Sequence, residues 1–357
     1  MKVALFSDLH AHPFQQYARV LPNGRNSRLQ DALDAIAAVR RSAVEHGARA
    51  VVFGGDLFHT MGRLDVGTLN GVFAEIAAFS AAHLPVFLLV GNHDQADKTG
   101  RHSLEVFKVL EHVVVMDEPG WYTHPGAPGL AVYAIPHRED TNALRTLLGA
   151  IPPAPASDAQ RLLILHAGFD GAKTGPHEYR MASELAAGDV PDGFDLVLSG
   201  HYHLPQWIDE GRRIAYIGAA THQSWGDANQ PRGHAIADLA TRTLARFESG
   251  APRFLRLAPS EIERARAGDF VEILLPHDAD EATAEAAQHA LEEAGAGGGQ
   301  IVRAPRPERI ATARLGCGHT TDVGALIAPY VEHVSEVVGL REDLVALGHD
   351  LLRKAAA

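Results

Sequence analysis

The sequence has 357 residues, of which 46% are hydrophobic and 21% are charged, a composition that excludes a disordered or fibrous protein. Its net charge of −12 disfavours a protein that coats DNA unaided, but it leaves open an enzyme whose phosphate contacts run through bound metal. The apolar runs are too short to cross a bilayer, and no signal-peptide core precedes Asp8. The single cysteine, Cys317, excludes an intrachain disulfide framework, so we expect a cytoplasmic protein.

The first ninety residues alternate short apolar runs with amphipathic segments. The runs 2–7, 50–53 and 85–90 predict buried strands. Apolar residues at helical spacing predict one helix from the capping-box pair Ser27 and Gln30 to Gly47, and another over 66–83. This alternation of strand and helix indicates parallel strands wrapped by helices.

After a helical segment at 103–109, strands follow one another with only one helix, near 141–148, between them. The predicted strands are 113–116, 130–135, 162–165, 196–198, 206–208, 214–217 and 234–239. We expect them to form a second sheet, mixed or antiparallel, that packs on the first. The predicted fold class is therefore α/β, a four-layer α-β-β-α sandwich.

The composition changes near residue 259. A strand at 270–275, a helix at 281–294 and a strand at 301–304 predict a small α+β capping domain. Two amphipathic stripes follow it, formed by Leu326, Ile327, Tyr330, Val331 and Val334 and by Leu344, Leu347 and Leu351. We therefore predict three parts: a main domain over 1–258, the capping domain over 259–316 and a helical tail over 317–357.

Side chains that bind metals follow the predicted strands. They are Asp8 and His10 in SDLH, Asp56 and His59 in GGDLFH, Asn92, His93 and Asp94 in GNHD, His166 in LILHAGF, and His201 and His203 in SGHYH. Residues two apart on an extended chain point the same way, so we expect Asp8 and His10 to face one point, as the histidines around Tyr202 should. A single histidine at a strand end is more often a hydrogen-bonded rim residue, but five such blocks in order indicate a metal site. Imidazoles and carboxylates without thiolates suit Mn, Fe, Zn or Co, and the set is large enough for two ions.

The ordered blocks DxH, GD, GNH(D/E), H and GHxH resemble the calcineurin-like metallophosphoesterase superfamily, and all five stand unbroken from Asp8 to His203. More narrowly, the chain resembles the SbcD-type nuclease subunit of the double-strand-break repair complex. That narrower resemblance depends on His59, three residues after Asp56, on the small unit after residue 259 and on the two terminal stripes.

The superfamily resemblance implies a role for each residue of the blocks. One ion would take Asp8, His10, Asp56 and His203, and the other Asp56, Asn92, His166 and His201, so that Asp56 bridges. His93 would stabilise the transition state or protonate the leaving oxygen, with Asp94 orienting its ring. His59 would contact the phosphate or position the DNA end.

The resemblance also implies the activity, which is that of a manganese-dependent DNA exonuclease and endonuclease acting in repair on DNA ends or single strands. Magnesium, iron and zinc stay open as the ions. The C-terminal stripes could pack on the chain's own core, but the resemblance implies that these helices dock on an SbcC-type SMC-like ATPase. A homodimer stays open. Two alternatives remain: a phosphodiesterase or phosphomonoesterase for small molecules, which would not need the residues after 259, and a non-catalytic scaffold, which the intact blocks disfavour.

The remaining candidates receive plainer interpretations. His137 and Arg138, after YAIP, could approach the substrate, but the preferred interpretation is that they are solvated rim residues. His12 is interpreted as a loop residue with no nameable partner. Tyr202 is interpreted as a packing residue. The basic run that contains Arg303, Arg306 and Arg309 is left open between DNA contacts and a solvated surface.

Overall fold

The structure, a computed structural model, describes residues 1–97, 100–175, 178–182, 184–304, 323–333 and 340–355. Arg306, Arg309, Cys317 and Val334, named above, lie outside the described residues. The chain divides into two compact units, Met1–Ile273 with Ala286–Ile301 and Leu274–Glu285 with Val302–Ala357. The three-part division at 258 and 316 stays a prediction. Each helix in the described part of the chain is too short or too polar to cross a membrane.

The helices and strands of the described residues follow the predicted order closely. The helices are α1 Ser27–Glu45, α2 Val66–Ala81, α3 Thr141–Gly149, α4 Glu281–Glu293, α5 Val323–His333 and α6 Arg341–Ala355, with 3₁₀ turns at Ser103–Val109, Ala187–Asp189, Trp225–Asp227 and Pro259–Arg264. The strands are β1 Lys2–Phe6, β2 Val51–Phe53, β3 Val86–Leu89, β4 Val113–Met116, β5 Gly120–Tyr122, β6 Leu130–Ile135, β7 Gln160–His166, β8 Lys173–Thr174, β9 Tyr179–Arg180, β10 Leu196–Gly200, β11 Gln206–Asp209, β12 Ile214–Tyr216, β13 Gly233–Asp238, β14 Thr243–Glu248, β15 Phe254–Leu257, β16 Phe270–Leu275 and β17 Gly298–Arg303.

The first sheet has the strand order β14-β13-β1-β2-β3-β4, with β1 to β4 parallel and β13 and β14 antiparallel at one side. Alternate side chains of its strands face opposite layers. Phe6 and Phe53 pack with Ile36 of α1, whereas Leu5 faces the second sheet and packs in one core with Ile164. Each such fully buried side chain contributes about 1.5–3 kcal/mol relative to exposure.

The second sheet has the order β11-β12-β10-β7-β6-β5 and is mixed, with parallel strands β6, β7, β10 and β12 between two antiparallel edges. Its outer face, which includes Leu163 and Tyr216, packs on Leu144 and Leu148 of α3. Helices, first sheet, second sheet and helix therefore form four layers, and the predicted α-β-β-α sandwich is confirmed.

Two of the strands expected in the second sheet belong to the first. β4 pairs in parallel with β3, and β13 pairs antiparallel with β1, which closes that side of the first sheet before β14. The prediction was wrong because the apolar pattern of a strand does not record which sheet it joins. The strands β5, β8, β9, β14 and β15 were not predicted.

The start of α1 also differs from the prediction. Asn26 caps the helix, because its side chain accepts the backbone N–H of Leu29 at 3.1 Å. Ser27 is instead the first helical residue, and its hydroxyl accepts the N–H of Arg19 at 3.1 Å. The helix ends at Glu45, and Gly47 follows with a φ of 68°, the left-handed conformation expected of a glycine after a helix.

The C-terminal stripes lie on helices, as predicted. α5 and α6 carry them, and Gly348 of α6 lies against Ile327 of α5, where a Cβ would come within 2.8 Å of the isoleucine Cγ2. Several large apolar side chains of this pair remain exposed: Tyr330 is 61%, Leu347 53% and Leu351 57% exposed. Arg303 pairs with the Glu281 side chain at 3.1 Å on the surface.

Candidate metal centre

The polar side chains of the five blocks lie where the carboxyl ends of the two sheets meet. The N–H of Ala220 donates to the Ser7 carbonyl just after β1 at 3.1 Å. The His166 ring at the end of β7 donates from Nδ1 to the carbonyl of Gly54, just after β2, at 2.8 Å. The carboxyl ends of parallel strands share one edge of a sheet, so the fold gathers residues that are far apart in the sequence.

Four of the predicted ligands have left-handed backbone: φ is 48° at Asp8, 47° at His10, 61° at Asp56 and 93° at His201. This conformation is uncommon outside glycine and costs of order 1–3 kcal/mol per residue, and it clusters at functional sites. We expected Asp8 and His10 to face one point because the chain is extended there, and that reason was wrong. Both residues lie beyond the end of β1, and the turning backbone brings their side chains together.

Glycines of the motifs permit the close packing of these loops. A Cβ on Gly91, in GNHD, would collide with the carboxylate and backbone nitrogen of Asp56. A Cβ on Gly200, in SGHYH, would collide with the Gly54 carbonyl oxygen. The three strand ends can therefore approach one another only because these positions lack side chains.

One group of candidate ligands comprises Asp8, His10 and His203, whose ligand atoms lie within 4.8 Å of one another. Asp8 and His10 are buried. Within the described residues, neither ring nitrogen of His10 nor the Oδ2 atom of Asp8 has a hydrogen-bond partner. Leaving buried polar atoms unpaired costs about 1–3 kcal/mol each, so this group is suited to a ligand that takes up their lone pairs.

A second group surrounds Asn92. Its Oδ1 atom lies 2.9 Å from Nε2 of His166 and 3.2 Å from Nδ1 of His201. Since His166 donates from Nδ1, its Nε2 carries a lone pair in the neutral ring, and this atom also lies 3.4 Å from Oδ2 of Asp56. Converging lone pairs of nitrogen and oxygen fit a divalent transition ion.

Burial and nearby charges determine which of the histidine rings are neutral and so have a lone pair for an ion. Burial favours a neutral His166, but the Asp56 carboxylate, the charge of Asp8 and the Gly54 carbonyl together outweigh burial and raise the pKa of His166 to about 9. Burial, followed by the charge of His166, lowers the pKa of His201 to about 3. Burial also lowers the pKa of His10 well below its usual value. His10 and His201 therefore offer lone pairs, whereas an ion must displace a proton from His166.

The resemblance implied that Asp94 orients the His93 ring, but the Asp94 carboxylate binds backbone N–H groups instead. Its two carboxylate oxygens accept the N–H groups of Asp56 and Leu57 at 2.9 Å and of Gly91 at 3.0 Å. The carbonyl of His59 instead accepts the Nδ1–H of His93 at 2.7 Å. Asp94 thus ties the GD loop to the GNH turn, and His93 is left with Nε2 as its reactive nitrogen.

His59 and His93 lie beside the first ligand group. The His93 ring centre is 4.6 Å from that of His10, and the His59 ring is 5.6 Å from His10 and 5.7 Å from His93. His12, which the sequence left without a partner, lies 5.2 Å from His59, and Phe14 lies 4.9 Å from it. The structure therefore extends this side of the centre with an imidazole and an aromatic ring.

Sequence reasoning missed one residue near the centre and preferred a rim position for another. Asp227 lies 3.4 Å from Nδ1 of His203, and no motif accompanies it in the sequence. His137 was interpreted as a solvated rim residue, but its ring is half-buried and lies 5.7 Å from that of His201. The available signal was its place two residues after the predicted strand 130–135.

The interpretation of Tyr202 as a packing residue agrees with its contacts. Its ring lies 5.4 Å from that of Tyr216, and its hydroxyl donates to Glu184 at 3.2 Å. Tyr202 thus separates the two histidines of SGHYH without offering its hydroxyl to the ligand groups.

Comparisons with known proteins show what this chain is similar to. The family model described as calcineurin-like phosphoesterase matches residues 1–205. The putative phosphoesterase 078R of Invertebrate iridescent virus 3 is 31% identical over 183 residues, which are 50% of this chain and 49% of that protein. The DNA double-strand break repair protein Mre11 of Haloferax volcanii is 28% identical over 228 residues, 61% of this chain and 48% of that protein. The DNA double-strand break repair protein Mre11 of Archaeoglobus fulgidus is 26% identical over 248 residues, which are 64% of this chain and 52% of that protein. The chain spans about half the length of these relatives.

Proposed function

The chain belongs to the calcineurin-like phosphoesterase family, whose members use divalent metal ions, and within it we propose a DNA phosphodiesterase with two bound ions. It would act as an exonuclease and endonuclease, with manganese as the first choice of ion. The observation that carries the proposal is the convergence of seven candidate ligands at one edge of the fold: Asp8, His10, Asp56, Asn92, His166, His201 and His203.

Asp56 is proposed as the bridging ligand. Its Oδ2 atom lies 3.6 Å from Nε2 of His10, in the first group, and 3.4 Å from Nε2 of His166, in the second. One ion would take Asp8, His10, Asp56 and His203, and the other Asp56, Asn92, His166 and His201. When bound, the two ions supply charge that polarises the phosphate and lowers the pKa of water toward neutrality.

His93 is proposed to protonate the leaving oxygen. The His59 carbonyl accepts the Nδ1–H, so the proton that is transferred would be the second proton of the imidazolium form, on Nε2, and the ring lies beside the first ligand group. A positioned general acid contributes about 10²–10⁴-fold in rate. His59, whose ring lies beside that of His93, is proposed to contact the phosphate, and Asp94 to hold the loop that carries Asp56.

DNA is proposed as the substrate because two of the relatives are named as DNA double-strand break repair proteins. The chain's net charge of −12 means that DNA affinity must come from the bound ions and from a partner. The exposed Tyr330, Leu347 and Leu351 of α5 and α6 support docking on an SbcC-type SMC-like ATPase. A homodimer stays open as an additional assembly.

A small phosphodiester is the second candidate substrate. A cleft of about 590 Å³ beside His137 is lined by several carboxylates, including Asp117, Glu118 and Asp140. Such walls disfavour the phosphate chain of DNA on that side, while the volume is in the range of small-molecule sites. The viral relative, named only as a putative phosphoesterase, leaves the substrate equally open.

The test uses the purified chain loaded with manganese, labelled linear DNA and bis-p-nitrophenyl phosphate, with and without a chelator. We expect both substrates to be cleaved, the chelator to abolish cleavage, and Asp56→Asn to lose activity on both. Asp192→Asn, at an exposed carboxylate, is the matched control and should behave as the wild type. Cleavage of the small ester without any cleavage of DNA would favour the second candidate, and inactivity on both would overturn the proposal.

A further inference from the structure

His137 occupies a strand end that the five sequence blocks do not include. β6 runs parallel to β7 with Ile135 opposite Leu165, one residue before His166. The N–H of His137 donates to the carbonyl of Val90, just beyond β3 of the first sheet, at 3.1 Å. His137 therefore lies where the carboxyl ends of both sheets meet, as the candidate ligands do.

The contact with His166 fixes the orientation of the His137 ring. Nδ1 lies 3.1 Å from the His166 carbonyl oxygen, and since a carbonyl only accepts, Nδ1 carries the proton. The neutral ring then keeps a lone pair on Nε2. The ring centre is 5.9 Å from that of His166 and 5.7 Å from that of His201, so the ring is held beside the second ligand group.

The backbone of His137 is also fixed on its other side. Its carbonyl accepts the Nε2–H of Gln95 at 3.1 Å and the Nη1–H of Arg138 at 3.2 Å. Since its N–H donates to the Val90 carbonyl, both backbone polar groups of His137 are hydrogen-bonded. A reacting side chain needs this kind of support, and half-burial leaves the ring accessible to a substrate.

His137 and His93 flank different ends of the ligand array. His93 lies beside His10 in the first group, and His137 lies beside His166 and His201 in the second. Each ring donates Nδ1–H to a backbone carbonyl and so presents Nε2. In-line displacement at phosphorus places the attacking and leaving oxygens on opposite sides of the phosphate.

From this arrangement we infer that His137 is a second catalytic imidazole, which accepts a proton from the attacking water while His93 serves the leaving oxygen. The inference rests on the proposed phosphodiesterase function. The water oxygen forms the new bond to phosphorus, and its proton passes to Nε2 of His137. The bond to the leaving oxygen breaks, and that oxygen takes the Nε2 proton of a His93 imidazolium, which leaves His93 neutral and His137 protonated. One water is consumed, and a phosphomonoester and an alcohol are released.

The experiment compares His137→Ala with His93→Ala on two diesters whose leaving groups differ. Bis-p-nitrophenyl phosphate releases a phenolate that needs little protonation, whereas DNA releases an alkoxide that needs it. We expect His137→Ala to lose about 10²–10⁴-fold of kcat on both substrates, since both use the same attacking water. His93→Ala should lose much more on DNA than on the activated ester. His137→Gln, whose amide oxygen still accepts a hydrogen bond, should retain more activity than the alanine variant.

Two further readouts separate a catalytic role from a structural one. Added imidazole should restore part of the activity of His137→Ala and leave the wild type unchanged. Manganese affinity measured by calorimetry and the melting temperature should match those of His289→Ala, which replaces an exposed histidine. Wild-type turnover in His137→Ala, loss of an ion from it, or a loss on DNA alone would each overturn the inference. Inactivity of the wild type on both diesters would instead overturn the proposed function, and the inference with it.

Discussion

Nδ1 of His203 lies 3.4 Å from Oδ1 of Asp227, and the same carboxylate oxygen lies 2.5 Å from the guanidinium of Arg232. Burial would raise the pKa of Asp227, but the hydrogen bond with His203 and the charge of Arg232 outweigh burial and hold that pKa well below its usual range. The carboxylate therefore stays ionised and accepts the Nδ1–H of His203. Burial favours a neutral His203, but its contact with Asp227 and the charge of Asp8 raise the pKa of His203, so an ion must displace a proton from the other ring nitrogen to use its lone pair.

This contact predicts that Asp227 controls ion affinity from outside the ligand groups. Asp227→Asn should weaken manganese binding by about 10–100-fold, the usual cost of losing the carboxylate behind a ligating histidine. Calorimetric titration measures the effect, and Asp192→Asn provides the exposed-carboxylate control. Equal affinities in the two variants would show that Asp227 does not set the orientation of His203.

His93 should separate chemistry from ion binding. Because its Nδ1 is engaged by the His59 carbonyl and it is not among the proposed ligands, His93→Asn should keep the wild-type ion content. Its turnover of DNA should fall by about 10²–10⁴-fold. Metal analysis and single-turnover cleavage on the same preparation measure both quantities. An ion lost from this variant would assign His93 to the ligands instead.

His234 makes the stability of the fold sensitive to acid. Among the described residues both of its ring nitrogens are buried without a partner, and burial, followed by the nearby His46, lowers the pKa of His234 to about 4. The unfolded ring has an ordinary pKa near 6.5, so the unfolded state binds more protons between these two values. Stability is therefore lost as the pH falls from about 6.5 toward 4.

Replacing His234 should remove this loss. We compare the free energy of unfolding of His234→Leu with that of the wild type at two pH values. The difference in favour of the variant should be about 1–2 kcal/mol larger at pH 5 than at pH 7.5. Urea denaturation at the two pH values gives the comparison, with His289→Leu as an exposed-histidine control. If the stability difference between His234→Leu and the wild type were the same at both pH values, the folded protein would accommodate a protonated His234, and the prediction would be wrong.

The exposed leucines of the terminal helix α6 should bind the partner ATPase and should not stabilise the fold. Leu347 and Leu351 of α6 are 53% and 57% exposed, so Leu347→Asp with Leu351→Asp should leave the melting temperature and the cleavage of bis-p-nitrophenyl phosphate unchanged. The same double variant should lose stimulation of DNA cleavage by an SbcC-type ATPase. A marked drop in melting temperature would show that these leucines are core residues.

Local patterns were sufficient to predict much of the fold and the five blocks. Each block follows a strand that the apolar pattern marks clearly, and parallel strands deliver such residues to one edge. The pattern did not assign β4 and β13 to the first sheet, because pairing between distant segments leaves no local trace.

Asp227 was missed, and His137 was interpreted as a rim residue, for a related reason. The contact of Asp227 with His203 spans 24 residues, and that of His137 with His166 spans 29. Neither spacing belongs to a helix or a hairpin, so only the assembled fold shows these contacts. The left-handed backbone at Asp8 and His10 was equally hidden, since neither residue is a glycine.

The central claim is a pair of ions that share Asp56, and anomalous diffraction at the manganese edge from crystals grown with manganese tests it most directly. We expect two peaks, one on either side of the Asp56 carboxylate. One should be surrounded by Asp8, His10 and His203, and the other by Asn92, His166 and His201. A single peak, or peaks that do not touch Asp56, would contradict the account.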